Sequence, residues 1–166
     1  MISLGLAAVL INSTVPLAAM TVTNRALVQP VIERPTLQRE YPVRTFRGGR
    51  EQFEFLLDNM MACSVLSQTI GLTSYRVMEE SPGRAVADDR EGARGYLQQV
   101  YCTEGQRIYY VEGRQQGIVQ ASGRGVVFVQ FAEVTPGTIE YSGKMLVRLD
   151  NQIVAALAQV FFVFVK

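Results

Sequence analysis

Between residues 75 and 149 the apolar side chains recur with a period of two, and turn residues cut the run into short pieces. That period places alternate side chains on opposite faces of an extended backbone, so this half of the chain is bound to a sheet. The clearest piece is residues 138–149. Ile139, Tyr141, Met145, Val147 and Leu149 share one face with Gly143, and Thr138, Glu140, Ser142, Lys144 and Arg148 share the other. Leu146 alone breaks the pattern. Ser81-Pro82-Gly83, the polar cluster 88–92, Glu104-Gly105 and Pro136-Gly137 separate further strands at 75–80, 84–88, 93–103, 106–113 and 125–134. Close spacing with tight turns makes neighbouring strands antiparallel.

Two other periodicities frame the strands. In residues 50–71, Phe53, Leu56, Leu57, Met60 and Met61 follow helical spacing, and Ala62, Val65, Leu66 and Ile70 continue it with a shift. That predicts a helix pair, or one helix broken near residues 61–64, stopped by Gly71. Residues 41–47 form a short extended piece before it, where Pro42 suits a strand start or a sheet edge. At the other end, Ile153, Val154, Leu157, Val160, Phe161 and Phe164 predict a C-terminal helix. Its last turns are apolar almost all round, which calls for burial, lipid or a partner.

The first 20 residues hold no charged side chain and end in small residues, as in a secretory signal peptide or a membrane anchor. Residues 21–40 carry Pro30, Pro35 and scattered charge with no sustained period, and read as a flexible tether. The folded domain is then expected over residues 41–166, in an exported, periplasmic or membrane-anchored protein. In an oxidising compartment Cys63 and Cys102 can pair; otherwise they are small buried hydrophobes.

The residue inventory narrows the chemistry. There is no histidine, so a Ser-His-Asp triad, a Cys-His dyad and a His-ligated zinc site are excluded. Sixteen basic against fifteen acidic residues leave a net charge of +1, which gives no electrostatic case for nucleic acid. Asp88, Asp89 and Glu91 are the one acidic cluster and fit a solvated turn better than a calcium loop. Arginine outnumbers lysine fourteen to two. Arg107, Arg114 and Arg124 gather around the glycine-rich stretch 113–125, which reads as a loop able to touch an anionic head group. No catalytic residue, metal site or cofactor is expected.

The order of elements, from the strand YPVRTFR through the helical block REQFEFLLDNMMACSVLSQTIGL and the strands of 75–149 to the terminal DNQIVAALAQVFFVFVK, resembles the START-like helix-grip superfamily. That superfamily includes birch-pollen-allergen-like proteins and polyketide cyclases. The resemblance implies an α+β fold: a curved antiparallel sheet of about six to seven strands gripping a C-terminal helix, with a helix pair between the first two strands. It also implies an apolar cavity between sheet and helix. Tyr110, Phe128 or its opposite-face rival Phe131, Tyr141, Met145, Leu157 and Phe161 are the candidate lining, though each also suits ordinary core packing. The expected function is non-catalytic binding of a lipid or other apolar small molecule. The alternatives are a cyclase- or isomerase-type enzyme in the same fold, and an envelope protein docking on a membrane or partner through its last helix.

Overall fold

A computed structural model describes residues 15–116 and 121–150. Seven strands form one antiparallel sheet in the order β1-β7-β6-β5-β4-β3-β2. They are β1 (Leu37–Arg47), β2 (Arg76–Ser81), β3 (Arg84–Asp88), β4 (Ala93–Thr103), β5 (Gln106–Gln115), β6 (Ala121–Thr135) and β7 (Thr138–Leu149). The sheet is curved and does not close, so β1 and β2 are its edges. Consecutive strands from β2 to β7 are hairpin neighbours, and β1 returns beside β7. Pro42 sits on the β1 edge, inside a register shift between Tyr41 and Arg44, where its missing N–H breaks no ladder bond.

Among the described residues three α-helices pack on the sheet. α1 (Val22–Glu33) precedes β1, and α2 (Arg50–Asp58) and α3 (Met60–Thr69) lie between β1 and β2. Asn59 divides the pair; its side chain caps α3 by accepting from the Ala62 N–H at 3.0 Å. The expected order of strand, helix pair and six strands is present. The expected C-terminal helix falls on residues 151–166, outside the described residues.

The tether expected at residues 21–40 is instead α1 and the start of β1. Thr21 caps the helix by accepting from the Asn24 N–H. Val28 and Val31 are fully buried, in one core with Met20, Val100, Ile108, Tyr110, Val126, Phe128 and Leu146. Val15 and Leu17, part of the expected leader, pack against the same core. The side chains of residues 126, 128 and 146 point to one face of the sheet. That part of the face is therefore covered by α1 rather than by water. Leu146, out of pattern in the sequence, is buried because α1 lies over it.

α2 covers one end of the opposite face. Phe53 is the side chain it buries, against Phe131 and Ile139, with Phe46, Leu57, Val129 and Tyr141 around them. α3 departs from its apolar stripe: Met61, Val65, Leu66 and Ile70 are exposed, and its buried residue is Ser64. Ser64 ties the helix to the start of β2. Its hydroxyl donates to the Tyr75 carbonyl at 3.1 Å and accepts from the Val77 N–H at 3.2 Å and from Gln68 at 3.0 Å. Ser64→Ala leaves the Val77 N–H without its partner, so we expect a loss of about 1–2 kcal/mol. Hydrogen exchange at Val77 reports it: protection falls there while the central strands keep theirs.

Candidate functional site

The sheet has an α1 face and an α2 face, and the expected cavity residues divide between them. Tyr110 and Phe128 lie on the α1 face, in the core under α1. Phe131 and Tyr141 lie on the α2 face, each ring about 5 Å from that of Phe53 (5.2 and 5.3 Å between centroids). Met145, half-buried on the same face, is opposite Val127 on β6 and Arg39 on β1. One pocket cannot take in all five, because a strand's alternate side chains are separated by the sheet itself. Leu157 and Phe161 lie outside the described residues.

Tyr110 is occupied where it stands. Its hydroxyl donates to a Glu112 carboxylate oxygen at 3.2 Å, and burial pushes its pKa up to about 12, with the Glu112 charge adding to the shift.

Beneath α2 the polar groups form a closed set. Arg107 is 4% exposed. Its Nε and Nη2 donate to the two Asp58 carboxylate oxygens at 2.7 and 2.9 Å, a bidentate pair. A Glu54 oxygen is 3.8 Å away, the Thr103 carbonyl accepts from Nη1, and the guanidinium stands 5.4 Å from the centre of the Phe131 ring. Gln99 donates to Asp58 at 2.7 Å, and the Tyr109 hydroxyl donates to the Leu57 carbonyl at 2.8 Å. The hydrogen bonds from Arg107 hold the Asp58 carboxyl below its ordinary range; Asp58 in turn raises Arg107. Burial pushes the Tyr109 phenol strongly upward. Arg107 was expected to meet an anionic head group. It is instead committed to pinning the end of α2 onto β5, because a buried guanidinium requires a carboxylate of its own.

Arg114 and Arg124 are exposed, on the α1 face at the far end of the sheet. The glycine-rich stretch around them is the two arms of the β5–β6 hairpin rather than one loop; residues 117–120 at its centre lie outside the described residues. Gly113, Gly123 and Gly125 lie within those strands. Gly95, Gly113 and Gly123 are paired in a row across β4, β5 and β6. A Cβ at Gly95 would sit 3.0 Å from the Glu112 carbonyl oxygen, and one at Gly123 would sit 2.9 Å from Leu149 Cδ2. Larger residues would force the strands apart there.

Beyond the aromatic cluster the α2 face continues as Val111, Val127, Met145 and Val147, with Gly125 and Gly143 among them. Tyr41 on β1 packs against Gly143, where a Cβ would lie 3.5 Å from its ring. The Tyr41 hydroxyl is buried and has no hydrogen-bond partner among the described residues. No motif singled out this tyrosine in the sequence; its pairing opposite a glycine is a product of register.

Other expectations resolve locally. Cys63 and Cys102 are free and exposed, on α3 and β4, neither bonded to each other nor buried. Asp88 and Asp89 spend their carboxylates on the turn, accepting from the N–H groups of Arg90, Glu91 and Ala93 at 2.7 to 2.8 Å. A cavity of ≈ 60 Å³ lies between the α2–α3 junction and the β2–β3 hairpin, lined by Asp58, Asn59, Met61 and Arg84 among others, with room for a few waters. Among the described residues no helix is long and apolar enough to cross a membrane.

No protein-family model matches the chain, and no curated protein matches it. Solved structures do share its fold. A conserved protein from Geobacillus kaustophilus is similar at a TM-score of 0.57 and 11% identity, over 77% of this chain and 87% of that one. A protein from Rhizobium leguminosarum is similar at 0.50 and 13% identity, over 77% and 90%. The ARO/CYC di-domain BexL of the BE-7585A biosynthetic pathway is similar at 0.40 and 19% identity, over 80% of this chain and 42% of that one.

Proposed function

We propose that this chain is a non-catalytic binding protein that holds a lipid or other apolar small molecule against the α2 face of its sheet, with its C-terminal segment as the cover. One observation carries the reading: Tyr41 places a buried, unpartnered hydroxyl on the face that holds Val127, Met145 and Val147, with the Arg39 guanidinium 5.1 Å from its ring as the charged neighbour. A buried hydroxyl without a partner is costly, and a ligand carbonyl, hydroxyl or ether would satisfy it. An apolar site with one or two placed polar groups is the ordinary composition of a small-molecule pocket. The apolar spacing of residues 153–164 is the pattern of a helix with an apolar face, which would suit such a cover.

A cyclase- or isomerase-type activity with Tyr41 as its proton donor would also need an uncommitted base on this face. Asp58, Arg107 and Tyr109 are engaged with one another or with the backbone, which supports binding over catalysis. Export, in keeping with the uncharged first 20 residues, belongs to the same proposal, and cell fractionation tests it.

Native mass spectrometry of the full chain, followed by organic extraction, tests the ligand. We expect a bound apolar mass. Tyr41→Phe should weaken retention about tenfold, the worth of one satisfied hydrogen bond, and Met145→Trp should fill the floor and abolish it. A uniformly empty wild-type protein would overturn the reading, as would a Tyr41→Phe variant as fully occupied as the wild type.

A further inference from the structure

The α1 face carries a second surface, at the end of the sheet away from the α2 aromatic cluster. Register places Arg94 on β4 directly opposite Arg114 on β5, and Arg124 on β6 directly opposite Arg148 on β7. Arg114 and Arg124 sit diagonally across the β5–β6 pair, since Arg114 faces Ser122 and Glu112 faces Arg124. The four arginines therefore form a zigzag over four adjacent strands, roughly 15 Å long at the ordinary strand spacing. Like charges directly opposite each other destabilise a sheet. Arg94 and Arg114 are exposed and have no carboxylate within ion-pair distance among the described residues. Among the described residues Arg124 has Asp150 at 3.8 Å as its one carboxylate, and Arg148 donates to the Pro30 carbonyl of α1. Glu112, set among them, already accepts from Tyr110.

Apolar side chains lie exposed beside this charge. Val86 pairs with both Met78 and Tyr96, which puts all three in one row on the same face. Met78 is 43% exposed and Tyr96 39%. A polyanion in water has no use for an exposed methionine, whereas a bilayer interface takes up both it and the tyrosine. Val15 and Leu17, from the end of the uncharged N-terminal stretch, also pack on this face.

We infer that this arginine zigzag, with Tyr96 and Met78, docks the protein on an anionic phospholipid surface. The arginines meet the head groups and the two apolar side chains enter the interface. The α2 face stays free, so this inference stands apart from the ligand reading above.

The experiment is co-sedimentation of the full chain with two kinds of vesicle. One is phosphatidylcholine alone; the other contains phosphatidylglycerol as well. Partitioning by the uncharged leader contributes equally to both, so the arginines are read in the difference. We expect preference for the anionic vesicles that fades as salt is raised. Arg94→Gln with Arg114→Gln should lower anionic binding about 30-fold, from the usual contribution of each basic residue at such a surface. Removing both charges of one directly opposed pair should leave thermal stability equal or higher. Arg44→Gln with Arg47→Gln, the same charge change on exposed β1 positions, should leave the preference intact. Equal binding to both vesicles would overturn the inference. So would a preference that survives R94Q/R114Q, or a single-stranded oligonucleotide bound as tightly as anionic vesicles.

Discussion

Val28→Asp, or Val31→Asp, in the full chain is expected to unfold the protein rather than trim its stability. Both valines are 0% exposed and face the core formed by Ile108, Tyr110, Val126, Phe128 and Leu146. A carboxylate there has no cation to meet, and its desolvation alone costs about 4 kcal/mol or more, comparable with the whole stability of many domains. The milder Val28→Ala with Val31→Ala removes four buried methyl groups and should cost about 3–5 kcal/mol. Circular dichroism and chemical denaturation read both. A tether would tolerate every one of these changes, so a wild-type midpoint in V28A/V31A would mean that α1 is not part of the core. Leu27 and Ile32 pack beside the valines, and two polar contacts add to them: Asn24 Nδ2 donates to the Val100 carbonyl at 2.9 Å, and Arg148 donates to the Pro30 carbonyl at 3.0 Å. Those two bonds fix its diagonal path from β4 to β7.

α1 was not legible in the sequence, and the reason is physical. Pro30 sits inside the helix and removes one backbone donor, which ordinarily ends a helix. Here packing of Leu27, Val28, Val31 and Ile32 on the sheet offsets that loss. Propensity is local, and the compensation comes from strands a hundred residues away. The strands were legible because period two survives whatever covers each face: β3, β4 and β7 begin and end where their patterns do. What period two does not carry is which faces are covered. Phe128 and Phe131 read as rivals for one cavity, yet one lies under α1 and the other under α2. The hairpin glycines read as a loop because composition cannot separate a flexible glycine from one demanded by a 3.0 Å approach to a neighbouring carbonyl. Arg107 read as a surface arginine for the same reason: its partner, Asp58, is 49 positions away and becomes its neighbour through the placement of α2. Tyr41 owes its buried hydroxyl to register against Gly143, which no local pattern announces.

The Asp58–Arg107 pair makes the second large prediction, and its two halves are unequal. Arg107 is almost wholly buried, while Asp58 is substantially exposed. Asp58→Ala leaves a guanidinium in the interior with Glu54 at 3.8 Å as the nearest remaining carboxylate. That should cost about 3 kcal/mol, or roughly 10 °C in melting temperature for a domain of this size. Arg107→Met removes the buried charge and fills its volume beside Phe131 and Tyr109, leaving behind only a carboxylate that water can reach. It should cost less than half as much, although it is the larger change in chemistry. An equal loss in both variants would show that the hydrogen bonds, rather than the buried charge, set the energetics. The pH dependence separates the cases further. The folded Asp58 pKa lies below the ordinary 3.8, so its contribution is complete above that value and is lost as pH falls through the folded pKa. Wild-type stability should therefore drop below about pH 4. R107M should lose most of that slope, because only the weaker hydrogen bond from Gln99 then lowers the Asp58 pKa in the folded state. An undiminished acid slope in R107M would assign the drop to other carboxylates and remove this pair as its source.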